Sequence, residues 1–151
     1  MYIDYMPETS EILCLLDNLS ELTKQELILS FGKNYKDKVI NLLSISKCLY
    51  LIKSKSNNNA VGMFGLLEED KKTAGIFFLT SDEIHQGNMI KLLKTSKVVI
   101  DEWLEDYEVL LDDCHKENIK VRKWLEFLGF KPNGNIKDGG FIEYQKVREN
   151  D

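Results

Sequence analysis

The stretch Asn118–Phe130, NIKVRKWLEFLGF, decides how the rest of the chain is read. Asparagine is a favoured helix N-cap, because its side-chain oxygen accepts a bond from a backbone N–H that the first turn leaves unpaired. Val121, Trp124, Leu125 and Leu128 then recur at i, i+3, i+4 and i+7, the spacing of one buried helix face. Gly129 stops that helix where a positive φ is wanted, and Pro132 follows shortly. A capped, amphipathic and sharply ended helix is therefore expected directly after the strand-like segment Glu108–His115, EVLLDDCH.

Upstream, a long helix is expected over about Gln86–Tyr107. Met89, Leu92, Leu93, Ile100, Trp103, Leu104 and Tyr107 form its stripe, which Ser96 alone breaks. Before it lie three short apolar segments, Cys48–Lys53, Ala60–Leu67 and Thr73–Thr80. The polar runs Ser54–Asn59 (SKSNNN) and Glu68–Lys72 (EEDKK) separate them and suit hairpin loops. Three antiparallel strands in a row are predicted. A helical crossover would make Thr73–Thr80 and Glu108–His115 parallel. The first third reads as helical: Thr9 or Ser10 caps a helix carrying Ile12, Leu15, Leu16 and Leu19. Thr23 opens a second, Lys24–Phe31, ended by Gly32, and Asp37–Ile45 makes a third. Two glycine turns, Asn133–Asn135 and Asp138–Gly140, lead to a last strand, Phe141–Val147. The sum is a single α+β domain over residues 1–151, with a helical part at 1–46 and a core at 47–147. Its central sheet is mixed, with helices on both faces.

Composition narrows the partners. Of 151 residues, 20 are basic and 25 acidic, for a net charge of −5, so nucleic acid and anionic membrane are not expected partners. Only Arg122 and Arg148 supply guanidinium forks; every other cation is lysine. Cys14, Cys48 and Cys114, with His85 and His115, make no metal-ligand spacing, and reduced intracellular thiols are the natural reading. Neither a targeting segment nor a membrane span is visible, so a cytoplasmic protein, or one carried in a particle, is expected.

The block Asn118–Phe130 resembles the segment of GNAT acetyltransferases around the fifth strand and the helix after it, of the form N-x-x-A-x-x-ϕ-Y-x-x-x-G-F. Asn118, Val121, Trp124, Gly129 and Phe130 fall at matching positions without a gap, and the element order of Lys47–Val147 is that of the same fold. Within that superfamily the chain is similar to a phage family of internal virion proteins and acetyltransferase-like proteins. The shared words are MFG (Met63–Gly65), LTSDEI (Leu79–Ile84) and RKWLEFLGF (Arg122–Phe130). The resemblance implies an acetyl-CoA ligand and an amine acceptor, or other virion proteins as partners if the chemistry is lost. It places the acetyl thioester in a splay between Thr73–Thr80 and Glu108–His115, with backbone N–H groups at Phe78, Leu79 and Thr80 polarising the carbonyl. Gln86, Gly87, Asn88 and Lys91 would hold the coenzyme phosphates. Two departures stand out. The junction Ser81–Met89, SDEIHQGNM, has one glycine where the family has a Q/R-x-x-G-x-G/A loop. Leu125 occupies the position of the tyrosine that often protonates the leaving thiolate, and leucine cannot donate a proton.

Each candidate has a plain alternative. Asn118 could orient the pantetheine arm or acyl carbonyl, or serve only as a helix cap. Glu83, with Asp82 beside it, is a candidate general base or a solvated loop carboxylate. Lys91, Lys94 and Lys97 sit in the first half of the long helix, and Asp101, Glu102, Glu105 and Asp106 in the second, opposite to what the helix dipole favours. That layout suits an anionic ligand, or a solvated face whose end effects are offset elsewhere. Cys114 and His115 are neighbours, but on a strand they point to opposite faces, which argues against a thiolate–imidazole pair. One of Asp112 and Asp113 must face inward, where it could attract a cationic amine.

Overall fold

The apolar segments between Cys48 and Thr80 do form neighbouring strands, and the polar runs between them turn tightly. The computed structural model describes residues 1–86 and 89–149, with the backbone alone for His85 and Gln86. In chain order the elements are β1 (Tyr2–Asp4), α1 (Thr9–Asp17), α2 (Glu21–Phe31), α3 (Tyr35–Ser44), β2 (Cys48–Lys53), β3 (Ala60–Glu68) and β4 (Thr73–Thr80). A 3-10 turn (Asp82–Gln86) follows, then α4 (Met89–Asp106), β5 (Val109–His115), α5 (Ile119–Phe127), β6 (Lys131–Lys137) and β7 (Phe141–Val147). Among the described residues the strands make one sheet in the order β1-β2-β3-β4-β5-β7-β6. The crossover through α4 makes β4 and β5 parallel, with Thr73 opposite Val109 and Gly75 opposite Leu111. The pairs β1–β2, β2–β3, β5–β7 and β6–β7 are antiparallel.

The chain divides into two compact units. The first comprises Met1–Leu66 and Phe77–Met89. Its core joins Leu15, Leu16, Leu27, Tyr35 and Val39 of α1–α3 to Leu51, Met63 and Leu79 of β2–β4. Alternation along β2 and β3 sends Tyr50 and Phe64, a cross-strand pair, to the opposite sheet face. There Tyr5, Tyr50, Phe64 and Phe78 form a row of rings with centroids 4.7–5.8 Å apart. Gly65 is required by a close approach: a Cβ there would lie 2.4 Å from the Phe77 ring and 2.8 Å from the Cys48 carbonyl oxygen. At the sheet edge the Lys53 ammonium lies between Asp4 (2.7 Å) and Glu11, tying β1 and α1 to β2. These hydrogen bonds hold both carboxyls below their usual range and raise the lysine above its own.

The second unit comprises Leu67–Ile76 and Ile90–Asp151. Trp103 and Trp124 are buried, as the helical stripes predict, and Ser96 fits its stripe by donating to the Leu92 carbonyl at 2.9 Å. Near the end of α4, Arg148 Nη1 donates to the Glu105 carbonyl (3.3 Å), and Lys146 approaches Asp101 (3.5 Å). Cations in and just after β7 thus partly offset the reversed charge layout of α4.

Several boundaries differ from the sequence expectation. The long helix starts at Met89, and Gln86 ends the separate 3-10 turn before it. The cap of α1 is Glu8, whose N–H donates to Glu11 Oε1 (3.2 Å), so Thr9 and Ser10 lie inside the helix. α2 begins at Glu21 with Ser20 as its cap, while Gly32 takes the expected positive φ (+84°). Strand β1 was not predicted, and Lys131–Lys137 is a strand where the glycine turn Asn133–Asn135 was expected, whereas Asp138–Gly140 does turn. β6 is a polar edge strand whose register with β7 shifts between Pro132 and Ile136. It has no apolar alternation to reveal it.

Candidate functional site

In the first unit, β4 delivers the segment predicted to face the thioester. Phe78 is half-buried and stacks on Phe64, whereas Leu79 points to the other face, into the core under α1–α3. Leu79 can therefore offer a ligand only its backbone. Thr80 is buried and fastened to the α1–α2 corner. Its carbonyl accepts the Ser20 N–H at 2.8 Å, and its Oγ1 lies 3.1 Å from Thr23 Oγ1. Ser81 donates both N–H (2.9 Å) and Oγ (2.8 Å) to the Val61 carbonyl, fixing where the strand ends. In the 3-10 turn Ile84 is fully buried, while Asp82 and Glu83 are exposed. Glu83 is thus an exposed carboxylate just past the end of β4. Gly87 and Asn88 lie outside the described residues, as does the side chain of Gln86.

In the second unit, α4 has no acidic residue in its first turn, and Lys91 stands there exposed. Asn118 is 4% exposed and works as the cap of α5, its Oδ1 accepting the Val121 N–H at 3.4 Å. The far end of α5 closes with a Schellman pair: the Gly129 N–H reaches the Glu126 carbonyl (3.1 Å) and the Phe130 N–H the Leu125 carbonyl (2.9 Å). Gly129 takes φ +94°, and its missing Cβ leaves room for Lys146, whose ammonium donates to the Leu128 carbonyl at 2.7 Å. Leu125 is 0% exposed and part of the core. Sequence reasoning missed a nearby phenol. Tyr144 is fully buried on β7, and its hydroxyl accepts a bond from Arg122 Nε at 3.0 Å. Arg122 also donates to the Lys116 carbonyl (2.8 Å).

The neighbours on β5 separate as strand geometry demands. Asp112 is buried and Asp113 exposed, the latter paired with Lys137 at 2.9 Å. Cys114 Sγ faces the Asn118 carbonyl (3.9 Å), while the His115 ring stands edge-on to Phe141 at 5.4 Å. No thiolate–imidazole pair forms. His115 Nδ1 accepts the Glu117 N–H (3.2 Å), which places the neutral ring's proton on Nε2. On the same hairpin Glu143 accepts from Asn133 (2.7 Å), Asn135 (3.1 Å) and Lys137 (3.0 Å). The two asparagine amides, followed by the lysine, hold its carboxyl down to about 2.

A groove of about 730 Å³ lies elsewhere in this unit, walled by Lys97, Leu104, Phe127, Lys131 and Arg148. It contains none of the predicted site residues. Among the described residues no group of three or more His, Cys, Asp or Glu is placed to hold a metal ion. No described helix is long and apolar enough to cross a membrane.

No protein-family sequence model matches the chain, and no curated protein sequence matches it. Solved structures do. The chain is similar to an acetyltransferase from Streptococcus agalactiae, at 16% identity and TM-score 0.71, over 97% of each chain. It is similar to a GNAT-family acetyltransferase from Bacillus anthracis, at 13% identity and TM-score 0.69, over 98% of this chain and 95% of that one. An N-acetyltransferase from Staphylococcus aureus matches at 10% identity and TM-score 0.72, over 98% of each chain. At these identities the likeness establishes the fold, which is the α+β GNAT fold built on a mixed seven-stranded sheet.

Proposed function

We propose that the chain is an acetyl-CoA-dependent N-acetyltransferase of GNAT type, acting on an amine. The observation that carries this reading is the end-to-end match of its fold to acetyltransferases. The residues present suit the ligand. The first turn of α4 carries no acidic residue and exposes Lys91, and a helix N-terminus is where the backbone dipole favours an anion. Gln86, Gly87 and Asn88 precede that turn and belong to the same proposed cradle. Phe78, Leu79 and Thr80 would offer backbone groups to the acyl arm. Acetyl-CoA supplies the activated acyl group; the chain binds it and orients its carbonyl. Glu83, exposed just past β4, is the candidate to take a proton from an incoming ammonium, directly or through one water.

A second reading is favoured by Leu125, which leaves the family's acid position without a donor. On it, the chain is a non-catalytic virion or assembly protein of a phage that retains the fold, partnered by other virion proteins. Calorimetric titration with acetyl-CoA separates the two. The enzyme reading expects binding on the order of micromolar, weakened in Lys91→Glu. No heat and no thermal shift at roughly millimolar ligand would sink it. Mass spectrometry of purified phage particles tests the second reading, which fails if this chain is missing from them.

A further inference from the structure

The sequence holds a single Asn–Gly pair, Asn133–Gly134, and it falls in the irregular part of β6. β6 pairs with β7 at Lys131 and Pro132 and again at Ile136 and Lys137. Between them the register shifts, so Asn133, Gly134 and Asn135 stand opposite one β7 residue, Glu143. Gly134 is exposed and takes φ +92°, with open space where a side chain would project. Asn133 Nδ2 donates to Glu143 Oε1 (2.7 Å) and Gln145 Oε1 (3.4 Å), and its Oδ1 accepts the Asn135 N–H (3.0 Å). All of these residues lie within the second unit.

The carbonyl carbon of an asparagine side chain is open to attack by the backbone nitrogen of the next residue, which closes a five-membered ring. The chief hindrance to closure is the next residue's side chain, and glycine has none. At Asn133 two further features favour it. The Asn135 N–H lies on the oxygen where negative charge grows as the ring closes. The bulge also frees this backbone from the regular ladder that would hold it extended. Asn135 shares Glu143 Oε1 (3.1 Å) but precedes the stiff, β-branched Ile136, and so serves as an internal comparison. One feature opposes closure at Asn133: Glu143 grips the nitrogen that must leave.

We propose that Asn133 is a self-deamidation site and that Glu143 sets its rate by holding the leaving nitrogen. The Gly134 nitrogen bonds to Asn133 Cγ and gives up its proton, the Cγ–Nδ2 bond breaks, and Nδ2 departs as ammonia. Water then opens the ring at either carbonyl, giving aspartate or isoaspartate, for a net uptake of one water and release of one ammonia. A carboxylate now replaces an amide donor that lay 2.7 Å from Glu143. Lys137, which already holds Asp113 (2.9 Å) and Glu143 (3.0 Å), is left among three anions. Like charges set against each other across a strand pair destabilise it, so β6 loosens and β7 becomes the open edge of the sheet. This site is independent of the acetyltransferase reading.

The test is peptide mapping by mass spectrometry after weeks in mildly alkaline buffer, with the same chain unfolded in guanidinium chloride as the reference. The folded wild type should gain the mass difference between amide and acid at Asn133 and not at Asn135, more slowly than the unfolded chain. Glu143→Ala should speed the change several-fold, and Asn133→Gln, whose ring would need one more atom, should stay unmodified. Backbone hydrogen exchange of β6 should quicken in Asn133→Asp and in the aged wild type. A folded wild type that gains no mass while the unfolded reference converts overturns the proposal. Equal rates in wild type and Glu143→Ala overturn the role of Glu143, and unchanged exchange of β6 in Asn133→Asp overturns the loosening. If Glu143→Ala does not fold, Glu143→Gln, a weaker acceptor, decides the same point.

Discussion

Replacing Glu143 by glutamine should remove a component of stability that appears only above acidic pH. In the folded chain the carboxylate accepts two asparagine amides on Oε1 and the Lys137 ammonium on Oε2, with 11% of the side chain exposed. These donors lower its pKa from 4.5 to about 2. At about 1.4 kcal/mol per pK unit, that depression is worth about 3 kcal/mol at most. The folded value lies below the unfolded one, so the contribution is fully present above the unfolded pKa and is lost as pH falls through the folded pKa. Urea denaturation of wild type and Glu143→Gln, from neutral pH down to about pH 2.5, isolates it from the other depressed carboxyls, Asp4, Glu11 and Asp70, which both proteins retain. The wild type should be more stable by about 2–3 kcal/mol at neutral pH, and the two curves should converge below about pH 4. Glutamine also sets an amide N–H₂ against Lys137, so part of the neutral-pH gap reflects a lost acceptor. Convergence on acidification is the diagnostic. Curves that fall in parallel through the whole window would refute the reasoning.

Two further outcomes follow from the geometry. Gly65→Ala puts a methyl against the Phe77 ring and the Cys48 carbonyl, and the carbonyl cannot rotate away as a side-chain end would. A loss of about 2–3 kcal/mol is expected in urea titration, and a loss below about 0.5 would contradict the close approach. Asn118→Ala should cost about 1 kcal/mol by removing the cap of α5. If it left thermal stability untouched and abolished acetyl-CoA binding, the capping role would give way to a ligand-facing one.

The alternation and periodicity of the core elements made most of the fold legible. Cys48–Lys53 and Thr73–Thr80 are apolar because their faces meet the core, and the stripe of α4 could be followed to Tyr107. The elements missed were those that the core does not shape. Tyr2–Asp4 is three residues long and held by an ion pair, and Lys131–Lys137 is a solvated edge strand of lysine, proline and asparagine. The junction after β4 was misjudged because a 3-10 turn and the α-helix after it merge in a periodic reading. The proposed site was legible only where it is local. Asn118 as a cap could be read from its own segment, whereas the Thr23–Thr80 contact joins residues 57 positions apart with no shared pattern. Tyr144 was invisible for the same reason, since its partner Arg122 lies 22 residues away on another element.

The glycine that ends α5 bears on what a family-like word can testify to. Of the five letters by which the block Asn118–Phe130 was matched, Asn118 caps a helix, Val121 and Trp124 fill its buried side, and Gly129 and Phe130 close it beside an incoming lysine. All five are accounted for by the architecture of one corner. A chain could keep every one of them long after losing an activity, or hold them without ever having had it. The block is thus a fingerprint of shape, and inheritance of chemistry has to be sought in residues that the corner itself does not need.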